Sequence, residues 1–396
     1  MSSSPASYLL LSLPTSIVKT GHKDDAFDAI NSHKPSSSSS SDANLLPFNI
    51  PDFKIGTLDT LVLQADELAK LDAAAEAAMT KAADVLKSIF DGNETRISEN
   101  KLVNEKPFQT YLQSFTWNKV KYRVERPIPD IVSILKSEIQ SLDEDIKSKY
   151  STYQSVKSNL QTLQRRQQGN LSTRSLASIL KPSHFLSSEY LTTALIAVPK
   201  PNEKEFLTSY ETLSTMIVPR SVFKISEDPE FALFGVVVFK KHAAELSHKA
   251  REQRYIPREV TYNENANDEE QAETKSAEQQ AEKLWGETLR LARTGYSELA
   301  AAWIHVKTLR VFVESVLRYG LPLDFVAACW VGRSKAIGKV KESLETQYAH
   351  LGGNAYGRDK KGKIVRKDDA NVAELAAGTM GGSEYTPFVE YLFEVA

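Results

Sequence analysis

The chain has one cysteine, Cys329, among its 396 residues. That excludes an internal disulfide framework and a clustered thiolate metal site, and it fits a reducing compartment such as the cytosol. Charge of one sign is also lacking. With 49 Lys+Arg against 51 Asp+Glu the formal net charge is -2, so no global field draws the molecule to nucleic acid or an anionic bilayer. There is no long apolar run either: "FALFGVVVF" at 231–239 is about half of what a membrane-spanning helix needs. The opening "YLLLSLP" lacks a basic n-region and is broken by Ser12 and Pro14, so it reads as a short strand rather than a signal peptide. Without a secretory signal, the glycosylation patterns at Asn93 and Asn170 carry no weight.

Catalytic machinery is equally scarce. The seven histidines are scattered, and His242 and His248 miss the i, i+4 spacing that sets two imidazoles on one helix face. Cys329 sits in "VAACWVG" as a small buried hydrophobe. There is no G-x-S-x-G elbow, and no carboxylate pair stands out. Gly357, Gly362 and Lys363 in "GRDKKGKI" match the spacing of a phosphate-binding loop, but Ile364 stands where a magnesium-binding Ser or Thr is required. The segment reads as a basic surface turn. A nucleotide-hydrolysing enzyme would rest on this loop and would lose its turnover on Lys363→Ala.

What is present is folded sequence, 41% hydrophobic and long enough for two or three domains. After the opening strand, the serine-rich tract at 31–44 reads as a flexible loop. Residues 61–90 favour helix, with Thr57 or Asp59 as cap, and "SFTWNKVKYRV" (114–124) has the composition of a strand. A long helix follows over 128–168, with a seam from Ile128, Ile131 and Leu135 to Leu160 and Leu163 at spacings of three and four. A second seam runs from Ala281 through Gly295 and Ala302 to Val306, Leu309, Val313 and Val316 and stops at Gly320. Lys307, Arg310, Glu314 and Arg318 lie on its flanks. The small residues of the second seam complement the large ones of the first, so the two helices are expected to pair antiparallel as a coiled-coil neck.

Between the seams, strands at 190–200, in "RSVFKISED" and in "EFALFGVVVFKK" alternate with helices at 202–215 and in "HAAELSHKAREQ". Residues 263–283 have few apolar side chains and read as a solvated or frayed helix start. Beyond 320 come a strand ("DFVAACWVG"), a helix ("SKAIGKVKESLETQYAHLG") and a last strand ("TPFVEYLFEV"). The expected class is α+β, an elongated dumbbell. Residues 1–125 and 321–396 form a foot from both termini, 126–169 and 263–320 are the two neck helices, and 170–262 is an inserted α/β head. "REQRYIPREVTYNEN" at 251–265 carries Tyr255, Arg258 and Tyr262 around Pro257. Such residues serve either as interface anchors or as packing for the head–neck join.

The segments "IPDFKIGTLDTLV", "LTTALIAVPK", "SYETLS", "YIPREVTY", "HVKTLRVFVESVLRYGLP", "LGGNAYGRDKKGKI" and "EYTPFVEY" occur in an order and spacing that closely resembles the C subunit family of the eukaryotic V-type proton ATPase. The likeness runs from about residue 50 to the end, with "YLLLSLP" also matching. The tract Ser36 to Ser41 departs from the family pattern, as does Val260 where Phe is usual. The resemblance implies a non-catalytic stator subunit of the soluble sector, without cofactor, metal, nucleic acid or membrane insertion. Its head grips a peripheral stalk made of the E and G subunits. Its foot meets a second stalk and the cytosolic domain of the membrane-sector a subunit, and the protein leaves when the pump reversibly disassembles. On that reading Tyr255, Arg258 and Tyr262 are candidates for the head contact, and Lys360, Lys361, Lys363, Phe388 and Tyr391 for the foot contacts. The alternative is a free-standing coiled-coil scaffold or adaptor. The mixed signs along the neck, Asp143, Glu144 and Asp145 beside Lys147 and Lys149, disfavour lipid binding.

Overall fold

The computed structural model describes residues 6–34, 43–186, 188–260, 263, 265–358, 364–366 and 386–395. In chain order the strands are β1 (Ala6–Pro14), β2 (Ala43–Pro47), β3 (Leu191–Pro199), β4 (Phe223–Glu227), β5 (Phe231–Phe239), β6 (Ile256–Arg258), β7 (Phe325–Arg333), β8 (Tyr356–Arg358), β9 (Ile364–Arg366) and β10 (Val389–Glu394). The helices are α1 (Lys23–Asn31), α2 (Leu58–Ile89), α3 (Glu94–Asn100), α4 (Phe108–Gln113), α5 (Ile128–Gln168), α6 (Glu203–Ser209), α7 (Ala243–Glu252), α8 (Ala266–Tyr319) and α9 (Ser334–Tyr348). The chain is thus of mixed helix and sheet. It divides into two compact units, Met1–Tyr150 with Thr288–Ala396, and Ser151–Glu287.

In the first unit, strands from both chain ends make one antiparallel sheet in the order β10-β1-β7-β2. Alternation along β1 sends Leu9, Leu11 and Leu13 to one face and Tyr8 and Leu10 to the other. Ile30 of α1 and Ile337, Val340 and Leu344 of α9 cover the first face. The second face packs on the larger core, to which α2, α5 and α8 contribute. Burial on both faces explains why "YLLLSLP" is nearly continuously apolar. Helix α2 starts where Thr57 accepts a hydrogen bond from the Thr60 amide at 3.4 Å.

Two expectations are corrected and one is narrowed. Residues 114–124 form no strand, because the Asn118 side-chain carbonyl accepts from the amides of Val120 (3.2 Å) and Lys121 (3.0 Å) and bends the chain there. Trp117 Nε1 then donates to the Tyr122 carbonyl at 2.7 Å, closing the loop. The start of α8, expected to be solvated or frayed, is solvated: it is helical from Ala266 and exposed or half-buried over 266–283 except at Thr274 and Ala277, with Asp268 and Glu269 in the first turn where the helix dipole favours them. The end of α8 is more than one seam. Leu299, Ala300, Trp303, Ile304, Val306, Leu309, Val311, Phe312 and Val313 are all buried, so the helix is enclosed on every side. Within this unit Gly295 lets α5 come close, since a Cβ there would lie 2.6 Å from Ile146 Cδ1.

The second unit holds an antiparallel sheet in the order β4-β5-β3-β6. The helix expected over 202–215 is shorter, α6 followed by a 3-10 turn at Tyr210–Thr212. One sheet face buries Ile196, Val198, Phe234, Val236 and Val238 under α6 and α7. The other face buries Leu195, Ala197 and Leu233 under Leu171, Leu176 and Leu180 of the covering segment 171–186. Gly235 is required here, because a Cβ would run into the Phe223 ring. Still within this unit, Gln167 of α5 donates to Thr274 Oγ1 of α8 at 2.9 Å.

Candidate functional site

The sequence-derived interface residues have varied fates. Tyr262, Lys360, Lys361 and Lys363 lie outside the described residues, as does the serine tract 36–41. Tyr255 is buried in the second unit, its ring edge-on to Phe206 at 5.1 Å. Arg258 is half-buried and clamps the covering segment, donating to the Ser172 carbonyl and to the Arg174 carbonyl at 2.6 Å. Burial lowers its pKa. Asp228 holds the same segment, accepting from the Leu171 amide at 2.6 Å. Burial pushes its carboxyl up, but the amides of Leu171, Phe231 and Glu230 outweigh that and hold it below the usual range.

In the first unit Phe388 is fully buried beneath α9, and Tyr391 is half-buried with its hydroxyl donating to Glu314. The side chains of Tyr255 and Phe388 therefore fill their own cores and are closed to direct contact with a second protein in this conformation.

Tyr391 leads to a feature that sequence reasoning misses. Asp72 of α2 is buried and takes three donors from α8: Trp303 Nε1 at 2.8 Å, Lys307 Nζ at 3.1 Å and Arg310 Nη1 at 2.6 Å. Lys307 also lies 4.5 Å from the centroids of the Trp303 and Phe393 rings, and Arg310 lies 4.4 Å over the Tyr391 ring. Further along α8, Glu314 joins Tyr391 to Arg318 at 3.0 Å, and Arg318 donates to the Thr386 carbonyl at 2.7 Å. Ser315 and Tyr319 reach Ser12 of β1 at 2.8 and 2.6 Å. The charged flanks of "HVKTLRVFVESVLRYG" thus form a polar ladder, buried at Asp72, Lys307 and Ser315 and half-buried at Arg310, Glu314, Arg318 and Tyr319, joining α8 to α2, β1 and β10. Burial pushes the Lys307 ammonium down, and Asp72 acts against it. The available signal is Asp72 itself, an acid at the 3–4 spacing of an apolar stripe, Leu68, Leu71, Ala75 and Met79.

His305 is buried beside this ladder. Its Nε2 accepts from the Asn118 amide at 3.1 Å, which leaves Nδ1 to donate to the Ala301 carbonyl at 2.7 Å. Phe115, Trp117 and Tyr122 ring it at centroid distances of 5.1, 4.8 and 4.8 Å. Burial pushes its pKa down to about 4, so the neutral ring works as a strut for the 114–122 loop. That loop borders a cleft of about 580 Å³ which Lys106, Lys119 and Glu298 also line. No group of three or more potential ligands that could hold a metal occurs among the described residues. Nor is any described helix long and apolar enough to cross a membrane.

Here is a chain of two units whose internal polar groups tie elements together. A family model described as the V-ATPase C subunit matches residues 8–389, and the chain belongs to that family. It is 41% identical over 351 residues to the V-type proton ATPase C subunit of Saccharomyces cerevisiae, covering 88% of each chain. The C 1 subunit of Macaca fascicularis is 41% identical and that of Xenopus laevis 40% identical, each over 345 residues covering 87% of this chain and 88% of the relative.

Proposed function

We propose that this chain is a non-catalytic stator subunit of the soluble sector of the proton pump. It bridges the peripheral stalks, built of the E and G subunits, and the cytosolic domain of the membrane-sector a subunit, and it is needed for assembly. It supports ATP-driven proton transport and the acidification of intracellular compartments, from the cytosol and the cytosolic face of vacuolar or other endomembranes. The head, residues 170–262, carries the stalk contact, and the foot, built from both chain ends, carries the others. Arg258 and Tyr262 act at the head and Lys360, Lys361, Lys363 and Tyr391 at the foot; Tyr255 and Phe388 support these surfaces from within.

One observation carries this reading. Both chain crossings between the two compact units fall inside long uninterrupted helices, α5 at Tyr150 and α8 at Glu287. A continuous helix transmits force along its axis, whereas a flexible linker would absorb it. Release during pump disassembly follows from having two separate contacts, because linked sites lose avidity together when either lets go. The test is a pull-down of the full chain with the purified E and G pair. Stable capture is expected, and no capture at micromolar concentration would remove the stator reading.

A further inference from the structure

The cleft beside the 114–122 loop, about 580 Å³ in volume, holds more hydrogen-bond donors than the first unit uses. Its walls are fixed from two sides. On one, the Val103–Lys106 bridge closes a two-residue turn whose central residues, Asn104 (φ 47°) and Glu105 (φ 63°), both lie in the left-handed region. The Asn104 amide donates to Ser297 Oγ of α8 at 2.9 Å, which sets the turn against the helix and Lys106 at the cleft. On the other, the Asn118 side-chain carbonyl and the His305 ring hold the loop. Walls held in this way need little ordering to receive a ligand.

Hydrogen-bond accounting then says what fits. Much of the polar capacity is spent internally. His305 uses both ring nitrogens, Trp117 Nε1 donates to the Tyr122 carbonyl, the Tyr122 hydroxyl donates to Glu138 at 2.7 Å, and Lys121 pairs with the same carboxylate. What remains is mostly donors. Lys119 has no hydrogen-bond or ion-pair partner among the described residues, and among them Lys106 Nζ donates only to Ser114 Oγ, at 3.1 Å. Tyr111 is 7% exposed, yet its hydroxyl makes no hydrogen bond among the described residues, whereas a buried hydroxyl is ordinarily satisfied. Against these cations stands one carboxylate of the lining without an ion-pair partner among the described residues, Glu298. Such a donor set suits clustered anionic oxygens, and a phosphate group brings three of them with a charge of about −1.5 to −2. Glu298 in turn can accept from a hydroxyl. The rings of the lining leave a nucleobase no platform: Trp117 packs on Phe53, Tyr122 and His305 at 4.7, 5.8 and 4.8 Å, and Tyr122 lies between His305, Trp117 and the Lys121 ammonium.

We infer that this cleft binds a polyol carrying several phosphate groups, free or as a lipid headgroup, through Lys106, Lys119 and the Tyr111 hydroxyl. The test is titration calorimetry of the full chain with inositol trisphosphate. Wild type is expected to saturate at micromolar concentration. Lys106→Ala/Lys119→Ala and Tyr111→Phe are each expected to weaken binding about tenfold with the thermal midpoint of the free protein unchanged. Lys240→Ala/Lys241→Ala removes the same charge from the second unit and should leave binding unchanged. Sedimentation with vesicles containing phosphatidylinositol bisphosphate separates the two sources: capture that the Lys106/Lys119 variant loses identifies a lipid headgroup, and binding of the soluble ligand without capture identifies a free one. No binding of either form overturns the inference. So does an equal loss in the Lys240/Lys241 control, which would reduce the effect to net charge. ATP bound more tightly than inositol trisphosphate, and weakened by the same variants, would overturn the ligand class.

Discussion

Asp72 shows how much can depend on one buried carboxylate. It is the only acid that the structure sets against both Lys307 and Arg310 within ion-pair distance among the described residues. Replacing it by Asn preserves volume but leaves buried Lys307 and half-buried Arg310 without this counter-charge, and breaking a buried ion pair destabilises by about 3–5 kcal/mol. We expect Asp72→Asn to lower unfolding stability by an amount of that order, read as a shift in the urea midpoint. An effect below about 1 kcal/mol would mean the ladder behaves like a surface ion pair.

His305 makes a pH prediction. Its folded pKa is pushed down to about 4 from an ordinary 6.5, so as the pH falls between those values the unfolded chain takes up a proton that the folded chain refuses. The stabilisation from keeping it neutral is full above pH 6.5 and is lost on the way down to about pH 4, a loss on the order of 3 kcal/mol. In His305→Gln nothing titrates at this position. The stability–pH curve of that variant should therefore be flatter by that amount over the same window, and parallel curves would refute the assignment. Both residues are partly legible in the sequence: His305 opens a motif that stands out there, and Asp72 interrupts an apolar stripe. Their partners are not, because Trp303, Arg310 and Asn118 meet them only through tertiary packing.

Elements are most legible where local propensity and period agree. The bounds of α5 match the expected 128–168 because its seam is unbroken and free of Gly and internal Pro beyond the first turn. The expected strand at 114–124 fails because aromatic composition signals burial, not extension. Phe115, Trp117 and Tyr122 enter the same core from a loop, whereas a strand would have sent alternate residues to opposite faces. Two glycines of α8 separate helix propensity from packing. A Cβ at Gly286 meets nothing within 4 Å, so Gly286→Ala should raise stability by about 0.5–1 kcal/mol. Gly295→Val drives two methyls into Ile146 and should lower it by about 1–3 kcal/mol. Thermal unfolding of both variants checks the contrast, and equal effects would refute the close approach of α5 and α8 at Gly295.

For the whole molecule, the decisive property is that no loop interrupts the chain where it passes from one compact unit to the other. If the chain is the stator proposed above, inserting a short Gly-Ser segment at both crossings should leave each unit folded and the E and G pair bound. ATP-driven acidification by the reassembled pump should nevertheless fall several-fold. Unchanged proton transport would show that stiffness here is irrelevant to the work.

The family, the long helices and most strands follow from short-range pattern and from motifs kept whole along the chain, and they are legible without the tertiary structure. Other properties emerge only on folding: the charged flanks of α8 are buried or half-buried, His305 supports a loop, and Tyr255 and Phe388 face inward. Burial and register depend on which distant segment lies opposite, as Leu10 on Cys329 or Trp303 on Asp72, and no local periodicity encodes that choice.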